Sequence, residues 1–242
     1  MELRNSVIMI TGAAIRVGRY LAVHMARQGA QIFFTHLPGE PWEEAQAEIA
    51  ACGVDVLAHP LDVRDTAQIR ATVAAGLAHF GRIDVLINSA SVWLKAPFLE
   101  ITEQEWDNAL DINLKGPFFL AQAVAPSMLR QGRGVIINIT DISAFQPWVG
   151  YAPHGASKAG LVSLTKSLAV ELAPTVRVNA IAPGTVLLPP NCPPEVERWL
   201  TEKALLKRIG HPSDVARLAQ LIIECDYFTG SILQVDGGMA LT

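Results

Sequence analysis

Short apolar runs alternate with longer helical patterns along the chain, and this alternation most strongly constrains the fold. Seven runs are of the strand type, at residues 7–10, 31–35, 54–58, 84–88, 135–139, 176–181 and 232–235. Runs that are apolar on both faces are typical of buried parallel strands. The segments between them, such as 17–28 and 67–80, have a period near 3.6. The order predicts an α/β fold: a doubly wound parallel sheet of about seven strands with helices on both faces.

Composition narrows the class of protein further. Of the 242 residues, 50% are hydrophobic and 17% are charged, which suits a large core. No break in composition divides the chain, so residues 1–242 are predicted to form a single domain. The net charge of -4 and the lack of a basic run argue against nucleic-acid binding. No leader pattern and no membrane-length apolar run is found, so we expect a cytoplasmic protein that does not enter the membrane.

No metal site is expected. The three cysteines, Cys52, Cys192 and Cys225, have no metal-ligand spacing and no evident disulfide framework. The other histidines also lack the paired spacing of metal ligands; they are His24, His59, His79 and His211. We interpret all of these side chains as ordinary core or surface residues.

The stretch LLPPNCPP, residues 187–194, differs from the rest of the chain. Four prolines in eight residues deny it regular structure. It follows a predicted strand at the edge where open α/β sheets bind ligands, and a helical pattern at 195–204 comes next. We predict that residues 187–204 form a substrate lid, with Leu188 toward the substrate. The alternative is an ordinary surface loop.

The first strand–helix turn, TGAAIRVG, predicts a dinucleotide site. Gly12 permits a tight turn, and Gly18 permits close packing of helix on strand. The helix N-terminus, with Val17, would then direct its free N–H groups at a pyrophosphate. Arg16 would pair with a phosphate, because an arginine on the first turn is otherwise unfavourable against the helix dipole.

The end of the second strand favours NADP over NAD, although NAD remains possible. An acidic residue there would accept from a ribose 2′-hydroxyl and repel a 2′-phosphate. Thr35 and His36 occupy this place, and Glu40 comes a few residues late. His36 is a candidate neighbour of the phosphate, or else a plain surface residue.

Several motifs together resemble those of the short-chain dehydrogenase/reductases over essentially the whole chain. They are TGAAIRVG, Asp62, Asn88-Ser89-Ala90, Asn113, Lys158, Pro183-Gly184 and Val235-Asp236-Gly237-Gly238. Within that family the sequence most resembles the pteridine reductases. They also carry arginine at the place of Arg16 and aspartate at the place of Asp141, and their counterpart of NSASVW has a serine followed two residues later by an aromatic residue.

The resemblance implies a role for each matching residue. Asp62 and Val63 would contact the adenine end, and Pro183 and Gly184 would pass over the nicotinamide. The nicotinamide ribose would lie against Asn88, Ala90 and Lys158. Asn113 would hold a water linked to Lys158. Ser91 and Trp93 would face the substrate, with Trp93 stacked on a flat ring; the alternative is that Trp93 plugs the loop.

Two departures from the family pattern stand out. The family carries a catalytic tyrosine at the place of His154, and pteridine reductases carry a basic residue where Pro38 stands. Residues 154 and 158 share one helix face, because four residues turn a helix by about 400°. An imidazole paired with Asp141 is a usable acid, or else Asp141 relays the proton through water and residue 154 shapes the pocket. Tyr151 is expected to precede the helix and to pack structurally.

Three functions follow, in order of preference. The first is an NADPH-dependent reductase of a pterin-like or other small planar substrate, with Asp141, His154, Lys158 and Asn113 as catalytic residues. The second is a reductase or dehydrogenase of the same family that acts on a carbonyl substrate. The third is a catalytically silent dinucleotide-binding protein. Long apolar helices near 106–128 and 152–172 resemble those by which family members pair, so a homodimer or homotetramer is expected.

Overall fold

The computed structural model describes residues 1–242 as one seven-stranded sheet with eight α-helices. The strands are β1 (Val7–Ile10), β2 (Gln31–His36), β3 (Val56–Pro60), β4 (Val85–Asn88), β5 (Gly134–Ile139), β6 (Val176–Pro183) and β7 (Ile232–Val235). The helices are α1 (Arg16–Arg27), α2 (Glu43–Ala50), α3 (Thr66–Phe80), α4 (Glu103–Leu110), α5 (Gly116–Gln131), α6 (Ala152–Leu172), α7 (Pro194–Lys203) and α8 (Pro212–Glu224). None of these helices combines the length and apolarity that crossing a bilayer requires.

All strand pairs are parallel, in the order β3-β2-β1-β4-β5-β6-β7. The order reverses direction beside β1, whose neighbours are β2 and β4. This is the doubly wound, Rossmann-like topology that the alternation predicts. Because every strand runs the same way, all seven carboxyl ends meet at one edge, and the reversal opens a crevice there.

Two apolar cores cover the two faces of the sheet. One lies under α1, α2 and α8 and includes Ile8, Leu21 and Ile222. The other lies under α3, α5 and α6 and includes Met9, Phe33 and Val124. Successive residues of a strand point to opposite faces, so Ile8 and Met9 enter different cores. The strands are therefore mostly apolar on both faces, as a sheet covered on both sides requires.

Some boundaries differ from those predicted. The third strand begins at Val56 rather than at residue 54 and ends at Pro60. A proline is tolerated there because β3 lies at the edge of the sheet. The helix expected near 106–128 is divided into α4 and α5 by a π-helical turn, Asp111–Lys115. Such i→i+5 turns occur often at functional sites, and Asn113 lies in this one.

A buried carboxylate holds the start of the sheet together. Asp84 is 1% exposed, and its Oδ2 accepts a 2.9 Å hydrogen bond from the backbone N–H of Val7. Its Oδ1 accepts from the guanidinium of Arg82. One side chain thus links the entry of β1 to the entry of β4, at the edge opposite the crevice.

We expect Asp84→Ala to lower the free energy of unfolding by about 2–3 kcal/mol, because it leaves a buried N–H without a partner. Urea unfolding at fixed protein concentration measures this change. The matched control is Asp55→Ala, which removes an exposed partner of His79 at 2.9 Å. That control should change stability by less than about 0.5 kcal/mol. Equal effects of the two substitutions would contradict the assignment.

Candidate active site

A cavity of about 620 Å³ lies at the carboxyl ends of the strands, beside the reversal of strand order. Its volume is in the usual range for small-molecule and cofactor sites. Most of the residues singled out from the sequence line it, although they come from seven separate segments of the chain. They are Gly12, Arg16, Val17, Gly18, His36, Asp62, Val63, Ala90, Ser91, Trp93, Asp141, His154, Lys158, Pro183 and Gly184.

Three residues singled out from the sequence do not line the cavity. Asn88 and Asn113 are 2% and 1% exposed and lie behind its wall. Leu188 was expected to face the substrate; it is not among the lining residues, and its contact with a substrate stays a prediction. The chain after β6 places Val186 in the wall instead, and the backbone carbonyl of Leu187 turns toward Arg16.

The turn after β1 packs closely against the start of the next loop. Gly12 has a φ of +62°, and a Cβ there would lie 2.9 Å from the Cα of Ala90. A Cβ on Gly18 would lie 2.4 Å from the carbonyl oxygen of Gly12. The Thr11 hydroxyl accepts the N–H groups of Ser89 and Ala90, each at 3.0 Å. Thr11 was not selected from the sequence, but its place before Gly12 was a usable signal.

Arg16 begins α1 in an unusual conformation. Its φ of +52° lies in the left-handed region, which is costly for a residue with a Cβ. Its Nη2 lies 3.5 Å from the carbonyl oxygen of Leu187. Strain of this kind gathers at ligand sites. A guanidinium is thus held over the cavity, between the first turn and the segment expected to form the lid.

The loop after β2 contains both a histidine and an acid. His36 is buried and stacks on Trp42, with 5.4 Å between ring centroids, so it is not a plain surface residue. The Glu40 carboxylate accepts the backbone N–H of Leu37 at 3.2 Å and lines the cavity. Glu40 lies a few residues after the end of β2, and the loop brings it back to the end of that strand.

Asp62 is not free in the structure. Its carboxylate pairs with Arg64, with 2.6 Å between Oδ2 and Nη2, and Arg64 also donates to Asn108 at 3.0 Å. The hydrogen bond from Arg64 lowers the pKa of Asp62, although partial burial opposes the shift. Arg64 lines the cavity and was missed in the sequence, where a charged residue in a loop carries no distinctive signal.

Asn113 binds the loop that carries Ser91. Its Oδ1 accepts from the Ser91 hydroxyl at 3.0 Å and from the Val92 N–H at 2.9 Å. Its Nδ2 donates to the Val92 carbonyl and to the Ser157 hydroxyl, both at 3.0 Å. The side chain therefore positions Ser91 in the cavity wall, while a water between Asn113 and Lys158 stays a prediction.

Asp141 and His154 form a close pair. The Nε2 of His154 lies 2.6 Å from the Oδ2 of Asp141, and the other carboxylate oxygen accepts the N–H of Ser143 at 2.7 Å. The His154 side chain is 3% exposed and that of Asp141 is 20% exposed. The carboxylate thus reaches the cavity more freely than the imidazole does.

The second nitrogen of His154 is also engaged with the protein. Nδ1 lies 3.1 Å from the carbonyl oxygen of Val92. Both ring nitrogens therefore face protein acceptors, and neither is left for a ligand. Of the two open alternatives, the geometry favours Asp141 as the group that meets a substrate, with His154 behind it.

Lys158 lies one turn after His154 on the same face of α6, as the spacing predicts. Its ammonium group donates to the carbonyl oxygen of Ile139 at 3.0 Å. Burial lowers the pKa of Lys158, and the charge of Asp141 opposes that shift. Burial alone would raise the pKa of Asp141, but its hydrogen bond to His154, the charge of Lys158 and the contact with Ser143 bring it below the ordinary value.

Trp93 lines the cavity and belongs to a cluster of three aromatic side chains. Trp93 is 55% exposed and stacks on Tyr151, with 5.3 Å between centroids and 23° between planes. Trp148 meets the ring of Tyr151 edge-on at 5.8 Å. Tyr151 precedes α6, as expected, and its burial raises its pKa. Tyr151 packs on one face of the Trp93 ring and supports it, which leaves the other face of that ring as a flat surface.

These features fit a dinucleotide. The glycine turn lies tightly against Ala90, and the first N–H groups of α1 lack helical partners, as at any helix start. Arg16 adds a fixed positive charge beside them, and Lys158 adds another at the far end of the same cavity. An extended, anionic ligand therefore finds a donor near each end.

Comparisons with known proteins agree with this geometry. A family profile described as "Enoyl-(Acyl carrier protein) reductase" matches residues 12–240. The 3-oxoacyl-(acyl-carrier-protein) reductase FabG of Thermotoga maritima is 32% identical, over 100% of both chains. FabG of Staphylococcus aureus is 34% identical, over 99% of both chains. The crystal structure of levodione reductase superposes with a TM-score of 0.93 at 28% identity and covers 99% of each chain. The protein belongs to the short-chain dehydrogenase/reductase family of NAD(P)-dependent oxidoreductases.

Proposed function

We propose that the protein is an NADPH-dependent reductase of a small planar substrate of the pterin class, such as a dihydropterin or dihydrofolate. The single observation that carries this proposal is the carboxylate of Asp141 in the cavity wall, within 2.6 Å of His154. Reduction of a ring C=N bond needs a proton at nitrogen as well as a hydride at carbon. A carboxylate that shares a proton with an imidazole is suited to supply it.

The other residues have separate tasks in this proposal. The dinucleotide, when bound, supplies the hydride. Lys158 holds the nicotinamide ribose, and its charge stabilises the Asp141 carboxylate after the proton leaves. Trp93, supported by Tyr151, holds the flat ring in place by stacking. Asn113 keeps Ser91 turned toward the substrate through its 3.0 Å hydrogen bond.

The second candidate function is reduction of a carbonyl substrate. It is favoured by the relatives, since the FabG proteins are named as reductases of 3-oxoacyl groups on acyl carrier protein. A carbonyl oxygen also needs a proton, and the same pair would deliver it. A catalytically silent dinucleotide-binding protein is the third candidate, because His154 stands where the family carries tyrosine.

Pairing of two or four chains and a cytoplasmic location stay predictions. Exposed apolar side chains on the helices expected to pair include Trp106 on α4, Phe118 on α5 and Val170 on α6. Burial of such groups in an interface is favourable.

We expect the purified protein to oxidise NADPH in the presence of a 7,8-dihydropterin, measured by the loss of nicotinamide absorbance. Asp141→Asn should lower kcat by about 100-fold or more, because the amide cannot deliver the proton. The variant should keep its affinity for NADPH, measured by fluorescence titration.

The control variant in this assay is His154→Tyr, which introduces the residue that the family carries and should also turn over. Turnover by the tyrosine variant alone would mean that the natural histidine prevents this reaction. Turnover with 3-oxoacyl thioesters but with no pterin would select the carbonyl function instead. Absence of turnover with both panels and both proteins would favour the silent binding protein.

Trp93→Ala should raise KM for a dihydropterin by about 3- to 10-fold, since aromatic stacking contributes about 0.5–1.5 kcal/mol. Steady-state kinetics measure this, with kcat changing less than KM. Tyr227→Ala is the control, because Tyr227 is an exposed aromatic residue after α8 that does not line the cavity. An unchanged KM in Trp93→Ala would show that Trp93 only plugs the loop.

Cofactor choice depends on two opposing charges in this proposal. Arg16→Ala should weaken NADPH binding by about 10-fold or more, because a hydrogen bond to a charged group contributes about 1.5–3 kcal/mol. Glu40→Gln should strengthen NADPH binding relative to NADH, because a carboxylate near the ribose repels a 2′-phosphate. Fluorescence titration with NADPH and with NADH gives the ratio of the two dissociation constants for each protein. If this ratio is the same in the natural protein and in Glu40→Gln, the ribose 2′-group does not lie near Glu40.

A further inference from the structure

The contacts of His154 determine where its protons lie. The Val92 carbonyl, 3.1 Å from Nδ1, can only accept a hydrogen bond, so Nδ1 carries a hydrogen. The Asn113 amide nitrogen is 3.4 Å from the same Nδ1, but it donates to Val92 and Ser157 at 3.0 Å. An unprotonated Nδ1 would instead set its lone pair against the carbonyl oxygen at 3.1 Å. The geometry therefore assigns the Nδ1 hydrogen to Val92.

The 2.6 Å contact between Nε2 and Oδ2 then requires one more proton between the two groups. It lies on the imidazole beside a carboxylate, or on a carboxylic acid beside a neutral imidazole. The pair is electrically neutral in both forms, and only the pair as a whole has a defined titration. Ser143 donates both its N–H and its hydroxyl to Oδ1, which leaves Oδ2 for the shared proton.

We propose that Asp141 and His154 act as one proton store, in which the single shared proton reaches the substrate through Asp141 and His154 supplies it without touching the substrate. This inference rests on the proposed function for its kinetic part only. The Nε2–H bond breaks as the Oδ2–H bond is made, and the Oδ2–H bond then breaks as the new N–H bond of the substrate forms. His154 keeps only its Nδ1 hydrogen, and Asp141 is left as a carboxylate. Solvent entering the cavity later returns one proton to the pair.

The surroundings favour such a store. The charged group that faces the pair is Lys158 on α6. The titratable ring beside it is Tyr151, whose centroid lies 6.5 Å from that of His154. The loaded pair is neutral. The emptied pair carries one negative charge, which the Lys158 ammonium group stabilises. His154 is thus a positioning residue, because it acts only through Asp141.

Proton NMR tests the store without any cofactor or substrate. A shared proton in a short, buried hydrogen bond exchanges slowly and should give a far-downfield resonance at neutral pH. The resonance should vanish in His154→Gln and in Asp141→Asn. The matched control is His79→Gln, which removes the exposed His79–Asp55 pair, whose side chains are 38% and 56% exposed. That control should leave the resonance in place.

Steady-state kinetics test whether His154 supplies the proton that Asp141 delivers. The kcat of the natural protein for NADPH oxidation with a dihydropterin should be nearly constant between pH 6 and 7. In His154→Gln it should fall about tenfold per pH unit over that range, from about 100-fold lower at pH 6 to about 1,000-fold lower at pH 7, because an isolated aspartic acid with an ordinary pKa of about 3.9 is almost fully ionised there.

The outcomes are distinguishable. A downfield resonance that His154→Gln removes supports the store even if no pterin is reduced, in which case only the proposed function fails. Absence of the resonance from the natural protein over the whole pH range overturns the shared proton. A His154→Gln enzyme with the pH profile of the natural enzyme overturns the role of His154, and circular dichroism of that variant excludes misfolding as a cause of lost activity.

Discussion

The parallel alignment of all seven strands is the constraint on which the site depends. Parallel neighbours share one direction, so the carboxyl ends of β1, β2, β4, β5 and β6 meet at the same edge. Residues far apart in the chain, such as Gly12, Asp141 and Pro183, reach one cavity because each lies at the carboxyl end of a strand of the sheet. The apolar strands that form the two cores therefore also determine where polar side chains can gather.

Burial gives the Asp141–His154 pair its chemical character. An exposed pair of the same kind, His79 and Asp55, lies in water, which screens the interaction and competes for its hydrogen bonds. In the cavity wall, protein donors and acceptors replace that water. Ser143 holds one carboxylate oxygen, Val92 holds Nδ1, and Lys158 supplies the compensating charge. Each partner restricts where the transferable proton can lie.

Much of the fold and part of the site could be predicted from the sequence. The bounds of β1 and β7 and those of α6 agree with the predicted segments. The start of β3 was placed two residues early, since an apolar run does not show where pairing begins. Leu188 was placed in the site from its proline-rich segment and its position after a predicted strand, and Arg64 was missed because its role depends on Asp62 and Asn108 in space.

The sequence by itself determined the class of fold, the dinucleotide turn and the shared helix face of His154 and Lys158. Each of these follows from local spacing. The period of the apolar residues indicates the fold class, the placement of the glycines indicates the turn, and a rotation of about 400° over four residues puts residues 154 and 158 on one face. Only the tertiary structure decided that both nitrogens of His154 are occupied and that Tyr151 supports Trp93. These facts depend on contacts between segments up to 62 residues apart, such as Val92 and His154. Such contacts form only when the sheet brings the loops together, so no local pattern encodes them.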